Sequence, residues 1–144
     1  MMKSIPLVSA LALSLFLGAC SSQPDNTRLT VQNQDIQHDW RLMLLDGKEI
    51  ADTPRNAQFT ITDTLAIQGR SGCNQFSGQL SLEDNQLQIH QALATKMLCP
   101  PNQMQQEQAL FNLLNKGADV TTTNKLMILT NSSHSAAFIK TSPQ

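Results

Sequence analysis

The chain opens with a continuous apolar run. A short basic start precedes Ile5–Leu17, and Leu17-Gly18-Ala19-Cys20 follows at once. About a dozen apolar residues are too few to span a bilayer, which takes about 20. The pattern is typical of a bacterial secretory signal that ends in a lipobox, although an ordinary cleaved signal with an incidental cysteine is the alternative. We predict a signal peptide over residues 1–19 and a covalent lipid on Cys20.

A polar stretch follows the cysteine. It is rich in Ser, Gln and Asn, and it predicts a flexible linker over residues 20–33 that precedes a folded domain at 34–141. A coil of about 15 residues spans roughly 20 Å, enough to hold the domain off a membrane. Ser21 follows the cysteine, where an Asp would favour retention in the inner membrane. We therefore expect attachment to the periplasmic face of the cell outer membrane.

From Trp40 onward, short segments alternate between apolar and polar residues, which is typical of β-strands. Turn signals separate them at Asp46-Gly47, Asp63-Thr64 and Glu83–Asn85. The predicted strands are Trp40–Leu45, Gln58–Thr62, Leu65–Gln68, Phe76–Leu82, Leu87–Ile89, Asp119–Thr123, Lys125–Thr130 and Ser135–Lys140. This order indicates an antiparallel meander.

One segment has the period of a helix. Asn102–Lys116 places Met104, Phe111 and Leu114 on one stripe, with a proline pair before it and Gly117 after it. We expect Phe111 to be buried against the sheet. A helix between two groups of strands predicts an α+β fold, a curved antiparallel sheet (half-barrel) with one helix packed on it.

Charge and aromatic content restrict the function. The chain has 10 basic and 11 acidic side chains, and neither sign is clustered. Without a basic patch, and with one Trp and no Tyr, the sequence offers little for binding nucleic acid.

Two cysteines remain once Cys20 is assigned to the lipid. Cys73 and Cys99 would lie in an oxidising compartment, where a pair usually forms a disulfide. A redox pair and two buried free thiols are the alternatives, but a redox pair usually has C-x-x-C spacing, which is absent.

Motifs of catalysis were sought along the chain. It contains no G-x-S-x-G, no phosphate-binding loop and no dinucleotide fingerprint. His38, His90 and His134 are too widely spaced for a zinc motif. We therefore expect no catalytic residue, no metal and no cofactor besides the covalent lipid.

Gly69–Gly78 is the densest motif, with three glycines around Cys73 and Asn74. It predicts a strand broken by a tight bend or bulge. The segment Thr95–Cys99 follows downstream. The two cysteines are flanked by Asn74 and Lys96, which form either a polar recognition patch or structural supports.

These motifs resemble those of the META domain family. The family pattern G-x-x-G-C-N-x-F-x-G, then T-[RK]-M-x-C, then a helix with E-x-x-[LF], is matched here by Gly69–Gly78, Thr95–Cys99 and Glu107–Phe111. The early W-x-L and glycine turn match Trp40–Gly47, whereas Leu80 stands where many members have Tyr. The chain also closely resembles HslJ-type heat-inducible lipoproteins of Gram-negative bacteria. That resemblance implies a half-barrel with one helix, a link to heat stress and novobiocin resistance, and a fold similar to lipid-holding secretin pilots.

Two functions are carried forward. The first is a non-enzymatic, monomeric envelope-stress lipoprotein that binds or assembles an envelope protein. The second is a carrier whose half-barrel holds an acyl chain or a small hydrophobic ligand, with Met97, Met104, Phe111 and Leu114 lining the cavity. In the first case the same four side chains are ordinary core. An enzyme of unrecognised type is a third and weaker reading.

Overall fold

One antiparallel sheet of nine strands dominates the computed structural model, which describes residues 30–142. The helices are α1 (Asn33–Ile36) and α2 (Pro101–Lys116). The strands are β1 (Asp39–Leu45), β2 (Lys48–Glu49), β3 (Gln58–Ile61), β4 (Ala66–Arg70), β5 (Gln75–Glu83), β6 (Gln86–Ala94), β7 (Ala118–Thr122), β8 (Leu126–Thr130) and β9 (Ser135–Thr141). Each predicted strand is present, and β6 extends five residues beyond its predicted end at Ile89.

The sheet closes on itself. β1 pairs with β9 along its length, from Asp39 opposite Thr141 to Leu45 opposite Ala136. The other edge of β1 pairs with β3 and, beyond it, with the short strand β2. The predicted curved antiparallel sheet with one packed helix is confirmed. Its curvature continues past a half-barrel into a ring, because the last strand returns to the first.

The folded domain begins before the predicted boundary at residue 34. Val31 is buried, and its N–H donates to Asn85 Oδ1 at 2.7 Å. The single turn α1 follows, and Trp40 Nε1 donates to the carbonyl oxygen of Ile36 at 2.8 Å. Residues 31–33 therefore belong to the domain and not to the linker. The predicted signal peptide and Cys20 lie outside the described residues.

Side chains fill the inside of the ring. Trp40, Met127 and Phe138 are almost completely buried. Phe59 packs edge-on against Phe138, with ring centroids 5.1 Å apart, and against Phe76 at 6.2 Å. Along β3, β7 and β8, alternate residues point inward. Together with the buried residues of the other long strands they form one continuous apolar core inside the ring.

The buried face of α2 is rotated from the predicted stripe. Its buried residues are Gln106, Ala109, Leu110, Leu113 and Leu114. Leu114 lies in the core as expected, but Phe111 is only half-buried, at the edge of the packed face, with its ring 5.5 Å from that of Phe76. Gln106 takes a core position because its Oε1 accepts the Ala57 N–H at 3.0 Å. Among the described helices, none has the length and apolarity needed to cross a bilayer.

Candidate functional site

The glycine-rich bend between β4 and β5 lies directly on α2. Gly72 has φ of 122°, and a Cβ there would lie 2.7 Å from the carbonyl oxygen of Gln103 and 2.9 Å from Gln106 Cβ. Real Cβ atoms do not approach that closely, so only glycine allows this contact. The bend therefore fixes the first turns of the helix against the sheet.

Gly72→Ala is expected to lower the free energy of unfolding by about 2–4 kcal/mol, because backbone strain and a steric clash add together. Gly47→Ala is the matched control: φ there is 76°, but a Cβ would meet nothing within 4 Å. That variant should lose only about 1–2 kcal/mol. Urea unfolding of both variants tests the contact, and equal losses would contradict it.

Glu107 of α2 receives three hydrogen bonds from the bend. Its Oε2 accepts Ser71 Oγ at 2.6 Å and the Asn74 N–H at 2.9 Å, and its Oε1 accepts Asn74 Nδ2 at 2.9 Å. Ser71 is completely buried. A carboxylate that accepts several donors in a partly buried place binds strongly and directionally. Glu107 is therefore the link between helix and bend.

Asn74 extends this network to a third segment. Its Oδ1 accepts the Met97 N–H at 2.7 Å and Thr95 Oγ1 at 2.9 Å. The side chain is 2% exposed, and its oxygen and nitrogen both have partners. One amide thus joins the bend, the helix and the segment that precedes the helix.

A disulfide ties the same segments. Cys73 and Cys99 form a disulfide, with Cα atoms 5.7 Å apart and a sequence separation of 26. Cys73 is buried beside Asn74, and Cys99 ends the segment that Asn74 holds through Met97. The covalent bond and the hydrogen bonds therefore restrain one loop from both of its ends.

The hydrogen bonds lower the pKa of Glu107. Burial by itself raises the pKa of this carboxyl, but the bonds from Ser71 and Asn74 outweigh it, and the net pKa lies below its ordinary value. A carboxyl with a lowered pKa in the folded state stabilises the protein above the pKa of the unfolded chain, about 4.3.

The wild-type protein should therefore lose stability relative to Glu107→Gln as the pH falls below about 4.3. The difference in free energy of unfolding between the two proteins should shrink as Glu107 becomes protonated, and reach a constant value below its folded pKa. Urea unfolding from pH 7 to pH 2 measures it. A difference that does not change with pH would contradict the role given to the carboxylate.

The structure does not assemble the predicted recognition patch. Asn74 is buried and its polar atoms face the protein, whereas Lys96 points into solvent. Met97 is also misplaced by the sequence prediction: it is 54% exposed, so it lines neither core nor cavity with Met104, Phe111 and Leu114. The cause is the Asn74 amide, which holds the backbone of Met97 and leaves its side chain outside.

An exposed apolar surface takes the place of that patch. Leu93 is 73% exposed, Met97 54% and Leu98 98%. We call residues 93–98 the apolar tip. It borders an open groove of about 600 Å³ on the outer face of the sheet, lined in part by Gln68, Gln75 and Ser77. Sequence reasoning missed this surface, because it ended the strand at Ile89 and assigned Met97 to the core or a cavity.

A serine and a histidine are in hydrogen-bond contact on the surface of the sheet. Ser81 Oγ and His90 Nε2 lie 2.9 Å apart on the outer face of β5 and β6. Between residues 30 and 142 no carboxylate contacts His90, so nothing orients its ring as a base would require. The same residues hold no group of three His, Cys, Asp or Glu side chains placed for a metal.

A family model decides the relationship. The model of the META domain matches residues 29–143, which include the bend, the disulfide and α2. The chain belongs to the META domain family. The resemblance stated from the motifs is confirmed, and the Glu107 network joins those same motifs in space.

Individual relatives agree with the assignment. Over 122 residues this META protein is 29% identical to "Heat shock protein HslJ" of Escherichia coli strain K12, with 83% of this chain and 84% of that protein covered. An NMR structure of one protein has a TM-score of 0.69 at 23% identity, over 76% of this chain and 95% of the other. An NMR structure of a protein from Burkholderia xenovorans has a TM-score of 0.61 at 21% identity, and the match covers 99% of this chain and 100% of that chain. The two structures support the fold alone.

Proposed function

We propose that this META protein is a non-enzymatic lipoprotein of the cell envelope that binds another envelope protein during heat stress. A lipid on Cys20 would anchor it to the periplasmic face of the outer membrane. The lipobox supports the anchor, and the relative named as a heat shock protein supports the stress role.

The apolar tip is the observation that carries the proposal. Leu93, Met97 and Leu98 are exposed within six residues, and the segment that bears two of them is restrained by a disulfide and by Asn74. Exposed apolar clusters on soluble domains usually mark a binding surface. A restrained surface also loses less entropy when it binds.

The packed interior disfavours the carrier alternative. Met127, Phe138 and Leu114 occupy the space that an acyl chain would need. The large pocket at the tip is instead open to solvent on the outside of the sheet. A carrier needs an apolar site that buries most of its ligand.

The place of the tip favours a protein over the membrane as its partner. Val31 is hydrogen-bonded to Asn85, at the turn where β6 begins, and the tip starts in the last two residues of β6, at its other end. Nine strand residues span about 25–30 Å. A chain anchored at Cys20 enters the domain at the end opposite the tip, so the tip would point away from the bilayer.

The anchor is tested by labelling with radioactive palmitate in the source bacterium. The wild-type protein should incorporate label and fractionate with the outer membrane, and Cys20→Ala should incorporate none. Cys73→Ser with Cys99→Ser is the matched control and should keep the label. A form with a cleavable signal peptide fused before Ser21 should become a soluble periplasmic protein. Label in Cys20→Ala would overturn the lipid assignment.

Partner binding is tested in living cells with a photo-crosslinking amino acid. Placed at Leu98, it should give a discrete crosslinked band after heat shock. Placed at Ile128, an exposed apolar position on β8, it should give none. In a strain that lacks the gene for this protein, the Leu98→Asp variant should fail to restore survival after heat shock or novobiocin treatment. The Ile128→Asp variant should restore it. Equal behaviour of the two positions would contradict the assignment of the tip.

A further inference from the structure

β6 is paired along only part of one edge. Toward β5 its pairs extend from Gln86 opposite Glu83 to Ala94 opposite Phe76. Toward β7 the pairing stops after Leu87 opposite Ala118. Within residues 30–142 no strand pairs with positions 88–94 on that side. An unpaired strand edge presents N–H and C=O groups in the pattern that another strand would bind.

The helix covers only the start of this unpaired stretch. Gln88 Nε2 donates to the carbonyl oxygen of Asn115 at 3.0 Å, so the end of α2 lies beside Gln88. From His90 to Ala94 every residue is exposed. We call residues 90–94 the open edge. It leads directly into the apolar tip.

Two residues of the open edge direct their backbone outward. The Thr95 N–H donates to the carbonyl oxygen of Gln75 at 3.0 Å, and Leu93 lies opposite Ser77. Because successive residues of an antiparallel strand bond to opposite sides, Ala92 and Ala94 direct their N–H and C=O groups away from β5. No other hydrogen bond to these groups occurs in the described chain.

We propose that the open edge binds an extended segment of the partner protein as an added β-strand. This inference rests on the proposed function and names the mode of binding. Main-chain hydrogen bonds to Ala92 and Ala94 would give affinity, and contacts with Leu93 and the rest of the tip would give specificity.

The local backbone selects a short peptide over a second copy of the chain. The register of β5 and β6 shifts between Ser77 and Gln79, and Gln91 has φ of 52°, so β6 bulges at the open edge. Bulges twist an edge and prevent long edge-to-edge pairing. The open edge therefore fits a partner strand of about four to six residues, in the usual range of strand lengths.

The charges around the edge indicate the chemistry of that strand. Lys96 is the only Lys, Arg, Asp or Glu between Gln86 and Pro101, and it is exposed. Leu93, Met97 and Leu98 supply the apolar contacts. We expect alternating apolar residues with a carboxylate placed to meet Lys96.

Synthetic peptides test the binding mode on the purified domain with its disulfide intact. The probe is a fluorescent peptide with the sequence Ac-Thr-Val-Thr-Val-Asp-Val. Its control carries N-methyl groups on alternate residues, which remove main-chain donors and keep the side chains. Fluorescence anisotropy should show saturable binding of the unmethylated peptide. N-methylation of the alternate residues whose N–H groups face β6 should weaken that binding at least ten-fold.

Amide exchange locates the bound peptide. The Ala92 and Ala94 N–H groups should exchange at least ten-fold more slowly with the peptide bound. Leu93→Asp should abolish binding, Lys96→Glu should weaken it, and Ile128→Asp should not change it. Equal binding of all N-methyl peptides, protection of the groove residues Gln68 and Ser77 instead, or no binding at all would overturn strand addition. If the Leu98 crosslink still forms in cells after such a result, the proposed function stands and only the binding mode fails.

Discussion

Replacing Glu107 with leucine is expected to lower the free energy of unfolding by about 3–5 kcal/mol. The carboxylate accepts Ser71 Oγ, the Asn74 N–H and Asn74 Nδ2. Without it the Asn74 N–H loses its acceptor, Ser71 Oγ keeps only the Asn74 carbonyl oxygen at 3.0 Å, and Asn74 Nδ2 keeps only the Met97 carbonyl oxygen at 3.5 Å. Ser71 and Asn74 are buried, so water would not easily replace the lost bonds. The cost is therefore desolvation of groups left unpaired, and urea unfolding at pH 7 measures it.

Matched variants separate this effect from the helix itself. Glu107→Gln keeps the size and one acceptor oxygen, and it should lose about 1–3 kcal/mol. Gln108→Leu places leucine at the next, exposed position of α2 and should change stability by less than about 0.5 kcal/mol. A loss below about 1 kcal/mol for Glu107→Leu would show that the network does not hold helix and bend together.

Replacing both cysteines of the disulfide with serine is expected to cost about 3–4 kcal/mol. The bond joins Cys73 to Cys99, which are 26 positions apart, and closing a loop of that size restricts the unfolded chain by about this amount. Urea unfolding of the oxidised wild type and the double serine variant gives the value. The free energy of unfolding of the oxidised wild type should stay unchanged in oxidised glutathione, and in dithiothreitol it should fall by the contribution of the disulfide.

The disulfide and the Glu107 network should not act independently. Both hold the bend and the segment up to Cys99, so loss of one increases the freedom of the other. A double-mutant cycle of Glu107→Gln with the serine pair should give a coupling free energy of about 0.5–3 kcal/mol. Additive losses would show that the two ties serve separate parts of the domain.

These ties explain how an apolar surface stays in solvent. Met97 and Leu98 lie on a chain segment that would otherwise gain by folding inward. The Met97 N–H is bonded to Asn74, and Cys99 is fixed to Cys73, so the side chains between them remain outside. Asn74 and the disulfide restrain this segment directly, and Glu107 restrains it through Asn74.

Much of the local structure followed from the sequence. The alternation from Trp40 onward located the strands, and the Asp-Gly and Asp-Asn pairs located two hairpin turns, where Asp46, Asp84 and Asn85 have positive φ. The limits of α2 followed from the prolines before it and Gly117 after it. The turn residues and the residues that end the helix act through the conformation of the nearby backbone, so their effect does not depend on distant parts of the chain.

The sequence by itself thus determined the order of α2 and the longer strands, the cysteine pair and membership in the META domain family, but not the short elements α1 and β2. Only the tertiary structure decided that β9 returns to β1, that Gln106 takes a place in the core beside Leu110, and that Asn74 faces inward. It also placed Met97 in solvent. These outcomes depend on which groups meet across long separations in sequence: a buried N–H at Ala57 needs the Gln106 oxygen, and the Glu107 carboxylate needs the donors of the bend. Periodicity reports the faces of an element but not the partner against which each face packs.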